Sequence, residues 1–134
     1  MSGTVKDMTL KLRAEPQAPS VARRVLGRLP GLDAAMLETA RLLISELVTN
    51  SYRHGKLERD DDIELTISSQ PDRLHVEVLD YGAGFDQDDV SSNDPNRSSG
   101  ENGWGLRIVQ QLSDRWGVED NGRTLVWFDL MKSA

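Results

Sequence analysis

The chain has 134 residues, 37% of them hydrophobic and 28% charged, which suffices for one domain with its own core. The net charge of −6 argues against direct contact with nucleic acid, and the lack of cysteine excludes disulfides and thiolate metal sites. No signal-like segment opens the chain, and no apolar run approaches about 20 residues. We therefore expect a soluble, cytoplasmic protein that makes no contact with a membrane.

Hydrophobic periodicity predicts a strand and two helices in the first half of the chain. Apolar residues alternate with polar ones over 8–12, as in a strand with one buried face. They recur at helical spacing over 21–29, until "PGLD" ends that helix. Asp33 has the residue type of an N-cap for a second helix over 34–54, and Gly55 has that of its C-terminal stop.

The second predicted helix carries polar residues beside its apolar stripe. Glu46 and Asn50 lie one turn apart on a neighbouring face, which they share with Leu43 and Arg53. We therefore expect Glu46 and Asn50 to lie at the rim of a site rather than in open solvent. The stripe itself is predicted to consist of Leu37, Ala40, Ile44, Leu47, Val48 and Ser51.

Two antiparallel strands are predicted near 63–67 and 74–78, because apolar and polar residues alternate in both segments. The polar segment 86–102 that follows has the length and composition of a lid over a ligand or of a disordered segment.

A third amphipathic helix and two more strands complete the prediction. The turn signal "DNGR" separates a short strand near Val118 from "TLVWFDLM", whose Trp127 is expected in the core. The element order indicates one α+β domain, a two-layer sandwich with helices on one face of a mostly antiparallel sheet. The third helix is predicted to point five side chains inward: Leu106, Ile108, Val109, Leu112 and Trp116.

Three short motifs follow one another along the chain, and each is weak by itself. Glu46 and Asn50 form the first, although charged residues on helices are usually solvated. "DYGAGF" leaves a strand end, where its glycines allow close approach to a ligand or simply make a turn. "GENGWGLRIV" opens a helix whose N–H groups suit a phosphate, or it is a flexible linker. No Walker or Rossmann fingerprint is present in the sequence.

In this order the motifs resemble those of the GHKL ATPase superfamily, and in particular its small anti-sigma-factor serine/threonine kinases. The stretches "ELVTNSYRHG", "VLDYGAGF", "GWGLRIVQQLSDRWGV" and "GRTLVWFDL" carry the likeness, which covers most of the chain. The resemblance implies a Bergerat-type ATP-binding fold with a mixed, mostly antiparallel sheet. It also implies a single domain over 1–134, with an ATP lid at 86–102.

The resemblance implies roles for individual residues. Glu46 corresponds to the general base, and Asn50 to the ligand of the Mg²⁺ ion that bridges the nucleotide phosphates. Asp80 corresponds to the acceptor for the adenine amino group, a contact that Thr124 supports. The remaining nucleotide-binding positions implied by the resemblance are Gly82, Gly84, Gly103, Gly105 and Leu106.

The family's activity implies a protein that binds ATP and Mg²⁺, phosphorylates a serine or threonine of an anti-anti-sigma (STAS-type) protein and sequesters a sigma factor. A homodimer is also implied, with residues 19–32 as the partner and dimer surface. Two alternatives stay open. The acidic lid, whose single basic residue is Arg97, favours a nucleotide-gated binding module without phosphotransfer. The other is a detached histidine-kinase catalytic domain, although His54 and His75 are expected to be structural or surface residues.

Overall fold

The computed structural model describes residues 6–29, 31–54, 62–80, 102–120 and 123–132. None of the helices in these ranges has the length and apolarity needed to cross a bilayer. The helices and strands follow the predicted order. They are β1 (Lys6–Arg13), α1 (Ala18–Leu26), α2 (Ala34–His54), β2 (Asp62–Ser69), β3 (Arg73–Asp80), α3 (Asn102–Leu112), β4 (Arg115–Asp120) and β5 (Thr124–Met131).

The five strands form one sheet in the order β1-β2-β3-β5-β4. All four pairings between the described strands are antiparallel, so no mixed pairing is found among them. After β3 the chain forms α3, reaches the edge of the sheet as β4 and returns as β5 beside β3. This route places β3 at the centre of the sheet, and the predicted α+β sandwich is confirmed.

Burial alternates along the strands and gives the sheet one face towards the helices. In β3 and β5 every second side chain is buried, including Val76, Val78, Val126 and Phe128. The long helix α2 packs against β2, β3 and β5, and also against α1 and α3. The core therefore lies between one layer of helices and the sheet, where each fully buried large apolar side chain contributes roughly 1.5–3 kcal/mol.

The start of α2 is set by its predicted cap. The backbone N–H of Met36 donates to Oδ1 of Asp33 at 2.8 Å, which satisfies one of the N–H groups that have no partner within the helix. Asp33 as N-cap and a helix over 34–54 are thus confirmed. The predicted stop, Gly55, lies outside the described residues.

The prediction that Leu112 and Trp116 point inward from the third helix is wrong. The helix α3 ends at Leu112, which is 46% exposed, and Trp116 lies on β4. The backbone N–H of Asp114 donates to the carbonyl of Asp129 on β5 at 2.9 Å, so the chain has already joined the sheet there. Trp116 still packs partly buried against the core. Its distance of four residues from Leu112 matched a helical repeat by chance.

Trp127 is not a core residue either. It alternates along β5 with the buried Val126 and Phe128, so it lies on the sheet face away from the helices. Its indole lies across Gly117 of β4, where an added Cβ atom would meet the indole Nε1 at 2.6 Å. The aromatic ring is therefore only half-buried, on the outer face of the sheet rather than in the core.

Candidate functional site

Two polar side chains are buried side by side at one end of the β3–β5 pair. Asp80 ends β3, Thr124 begins β5, and the two are cross-strand partners. Such partners point to the same face of a sheet, with Cβ atoms about 4.5–5.5 Å apart. Asp80 is 2% exposed and Thr124 is 1% exposed, both on the face that the helices cover. A carboxylate and a hydroxyl are thus held together where apolar side chains are usual.

The helix α2 adds a second pair of polar residues. Asn50 is 3% exposed, whereas Glu46, one turn earlier, is partly exposed. Asn50 lies away from open solvent, as expected, and is buried in the core together with Leu43. The sequence spacing could have predicted this burial, because Leu43, Leu47 and Asn50 stand at i, i+4 and i+7, on one face of the helix.

Two buried atoms of these residues have no hydrogen-bond partner in the part of the chain that the structure describes. They are Nδ2 of Asn50 and Oγ1 of Thr124. A buried polar group left in this way costs roughly 1–3 kcal/mol, so such groups are rare and usually have a functional explanation. The two atoms belong to elements that pack against each other, because α2 contacts both β3 and β5.

Asn50 also fits the magnesium ligation that the resemblance implies. Mg²⁺ prefers oxygen ligands and usually takes only one or two from the protein, the rest coming from water and phosphate. A half-turn of the Asn50 amide exchanges Oδ1 and Nδ2, so the buried position can present either an acceptor or a donor.

The first turn of α3 has the geometry of a phosphate site. The helix begins at Asn102, so Gly103 and Gly105 lie within its first turn, and Leu106 is 6% exposed in the core. The first four N–H groups of a helix have no acceptor inside it and carry the positive end of its dipole. Because α3 packs against α2, this N–H donor set belongs to the helix next to the one that carries Glu46 and Asn50.

The structure therefore describes six of the eight predicted nucleotide-binding residues and the predicted general base. Gly82 and Gly84 lie outside the described residues, as does the predicted lid 86–102 apart from Asn102, which belongs to α3.

Comparison with known proteins identifies the fold. The family model of the histidine kinase-like ATPase domain matches residues 8–129. The chain belongs to this family of ATPase domains, and the predicted membership of the GHKL superfamily is confirmed.

Within that family the chain is similar to serine-protein kinases named RsbW. It is 30% identical to RsbW of Listeria innocua serovar 6a over 118 residues, which cover 80% of this chain and 75% of the relative. It is 28% identical to RsbW of Bacillus velezensis over 137 residues, which cover 94% of this chain and 86% of the relative.

A solved structure shares the same fold. The crystal structure of the RsbU and RsbW domains of a Mycobacterium tuberculosis protein superimposes with a TM-score of 0.71 at 18% identity. The match covers 93% of this chain and 31% of that longer chain, so this chain spans about a third of it.

Replacing Thr124 with valine is expected to separate ligand binding from stability. Valine keeps the shape of the side chain and removes a buried hydroxyl without a described partner, so the melting temperature should stay the same or rise. If the hydroxyl supports the adenine contact, as the resemblance implies, ATP affinity should fall about 3- to 10-fold. Calorimetric titration and thermal unfolding measure the two effects. Thr66→Val on the other face of the sheet is the matched control, and equal ATP affinity in both variants would remove Thr124 from the site.

Proposed function

We propose that this protein is an ATP-dependent serine/threonine kinase that phosphorylates an anti-anti-sigma (STAS-type) protein and sequesters a sigma factor in the cytoplasm. One observation carries the proposal: Thr124, beside the buried Asp80 at the end of the sheet, and Asn50, on the helix that packs against β3 and β5, each hold a buried polar atom without a described partner. The chain that carries these residues belongs to an ATPase family and is similar to serine-protein kinases.

ATP is proposed to bind between the end of the β3–β5 pair and the helix layer. The Asp80 carboxylate accepts a hydrogen bond from the adenine amino group, and Thr124 supports that contact. Gly82 and Gly84 let the backbone pass close to the base. The phosphates receive N–H groups from the first turn of α3, at Gly103 and Gly105, and the buried Leu106 holds that turn against the core.

Asn50 would hold Mg²⁺ at the phosphates, and the ion neutralises their charge when it is bound. Glu46 is proposed as the general base. It accepts the proton of the acceptor hydroxyl while that oxygen forms a bond to the γ-phosphorus and the bond to ADP breaks. The partial exposure of Glu46 supports this role, because the hydroxyl arrives on another protein. Its place on the packed helix α2 supplies the positioning on which phosphoryl transfer depends.

Residues 19–32 are proposed as the partner and dimer surface of a homodimer. The last turn of α1 carries Arg23 and Arg24, in a chain whose net charge is −6. Nη1 of Arg23 donates to Oγ of Ser45 at 2.7 Å, which joins α1 to the residue next to Glu46. Contacts made on α1 are therefore one hydrogen bond away from the helical turn that carries the proposed base.

The proposal is tested in two stages. Calorimetry with ATP, with and without Mg²⁺, should give saturable binding that magnesium strengthens in the wild type and does not strengthen in Asn50→Ala. Labelled ATP is then incubated with this protein and each purified STAS-type protein of the same organism, and the acceptor should carry an acid-stable label.

The other outcomes of these experiments separate the alternatives. ATP binding that leaves every acceptor unlabelled indicates a nucleotide-gated binding module, which the excess of acidic residues in the lid favours. An acid-labile label indicates transfer to histidine. Wild-type protein that does not bind ATP would contradict the kinase proposal altogether.

A further inference from the structure

The sheet face away from the helices carries a charged cluster outside the nucleotide site. His75 of β3 and Asp129 of β5 are cross-strand partners, and Nδ1 of the imidazole lies 2.5 Å from Oδ1 of Asp129. On the other side of the ring, Nε2 lies 2.8 Å from Oε2 of Glu77, two residues further along β3. Each nitrogen of the imidazole therefore faces a carboxylate oxygen.

This geometry requires a particular protonation state. A neutral imidazole has one N–H group, so one of the two contacts would set a nitrogen lone pair against a carboxylate oxygen. The imidazolium ion donates through both nitrogens and satisfies both carboxylates. Asp129 is 4% exposed, so its charge needs a partner to offset the cost of burial.

We propose that His75, Glu77 and Asp129 form a clasp between β3 and β5 that closes when His75 is protonated, and that this clasp makes the stability of the fold depend on pH. The inference is independent of the proposed kinase activity, because none of the three residues belongs to the nucleotide site.

Among the groups that face His75, Glu77 and Asp129 are its main charged neighbours. On β2 its cross-strand partner is Ser68, which does not titrate, with Glu64 further along the same face. On β3 the Nε of Arg73 donates to Oε1 of Gln70 at 3.2 Å, towards the β2–β3 turn.

The outer strands β1 and β4 add two charged residues, and β5 adds an aromatic ring. Arg115 of β4 is the cross-strand partner of Asp129, and Asp7 of β1 is the partner of Ser68. The ring of Trp127 lies 5.7 Å from the ring of His75 and covers part of it. Arg115 is exposed, so solvent screens the interaction between Arg115 and Asp129. The interaction between Asp129 and the partly buried imidazole of His75 is screened less.

The environment raises the pKa of His75. Partial burial by itself disfavours the charged ring, but the hydrogen bonds to Glu77 and Asp129 and the charges of both carboxylates outweigh it. With a folded-state pKa above the unfolded value of about 6.5, the clasp contributes fully below that pH. Its contribution is lost as the pH rises through the higher folded-state pKa.

Thermal unfolding at pH 6.0 and pH 8.5 tests the clasp in wild type, His75→Gln and His75→Arg. Between the two pH values the wild type should lose about 2–4 °C more in melting temperature than His75→Gln, which cannot be charged. His75→Arg, which is charged at both values, should also lose less than wild type. His54→Gln is the control for the other histidine and should behave as wild type.

Nuclear magnetic resonance of the wild type gives a second measurement that does not depend on any variant folding. The His75 ring should titrate above pH 6.5, and Glu77→Gln should lower its midpoint. A midpoint at or below 6.5, or a pH dependence in His75→Gln equal to that of the wild type, would overturn the proposal.

Discussion

Glu46→Gln is expected to lower the rate of phosphotransfer to the acceptor protein by roughly 10²–10⁴-fold, the usual contribution of a general base. Glutamine has the size and shape of glutamate and cannot accept the hydroxyl proton. Because Glu46 is only partly buried, the exchange should leave the fold intact and ATP affinity within about threefold of wild type. Single-turnover transfer from labelled ATP measures the rate, and calorimetry measures the affinity.

The matched control for this experiment is Glu38→Gln on the same helix. Glu38 is exposed and pairs with Arg41 at 3.4 Å, an arrangement that contributes little to stability. The control should transfer phosphate at the wild-type rate. If Glu46→Gln does so too, the assignment of Glu46 as general base is wrong. If Glu46→Gln lowers both the transfer rate and the ATP affinity, Glu46 acts in ATP binding rather than in proton transfer.

Asp80→Asn is expected to lower ATP affinity by roughly 10- to 100-fold. A hydrogen bond to a charged group is worth about 1.5–3 kcal/mol, and about 1.4 kcal/mol corresponds to a factor of ten. In one of its two orientations the asparagine amide presents N–H groups, not an oxygen, to the adenine amino group. Residue 80, which is 2% exposed, would then no longer favour a base with a hydrogen-bond donor at that position. Calorimetric titration with ATP and with GTP measures the loss of affinity and of base preference.

A second buried carboxylate provides the control for Asp80. Asp129 is 4% exposed in the same sheet, but it lies on the opposite face, where it contacts His75. Asp129→Asn should lower the melting temperature and leave ATP affinity unchanged. Equal losses of ATP affinity in the two variants would mean that Asp80 acts through the stability of the sheet, and its role in adenine recognition would have to be abandoned.

Much of the fold follows from the sequence, because its signals act over short distances. Helical periodicity and the Asp33 cap predicted α2 over its observed range, since both depend on residues within a few positions of one another. Alternation predicted β1, β2 and β3 for the same reason. The order of three motifs along the chain predicted the ATPase family, although each motif alone was compatible with an ordinary turn or a solvated helix.

The exact boundaries and register of the strands were decided only by the tertiary structure. Trp116 matched a helical repeat but lies on β4, because that segment pairs with β5. Trp127 was expected in the core, yet the register of β5 turns it to the outer face and over Gly117. Turn signals in the sequence indicate which neighbouring strands form hairpins, but they do not set the register, and a shift of one residue in register exchanges the two faces of a strand.

The polar residues of α2 and those of the β3–β5 pair show the same difference between what the sequence and what the tertiary structure determined. Glu46 and Asn50 are one helical turn apart, so the sequence alone determined that they share a face of α2. Asp80 and Thr124 become neighbours only because β3 pairs with β5, and His75 meets Asp129 through that same pairing. Local periodicity thus determined which side chains point together along one element. The antiparallel ladder between β3 and β5 decided which of them meet across the sheet, because its register alone places residues so distant in the chain side by side.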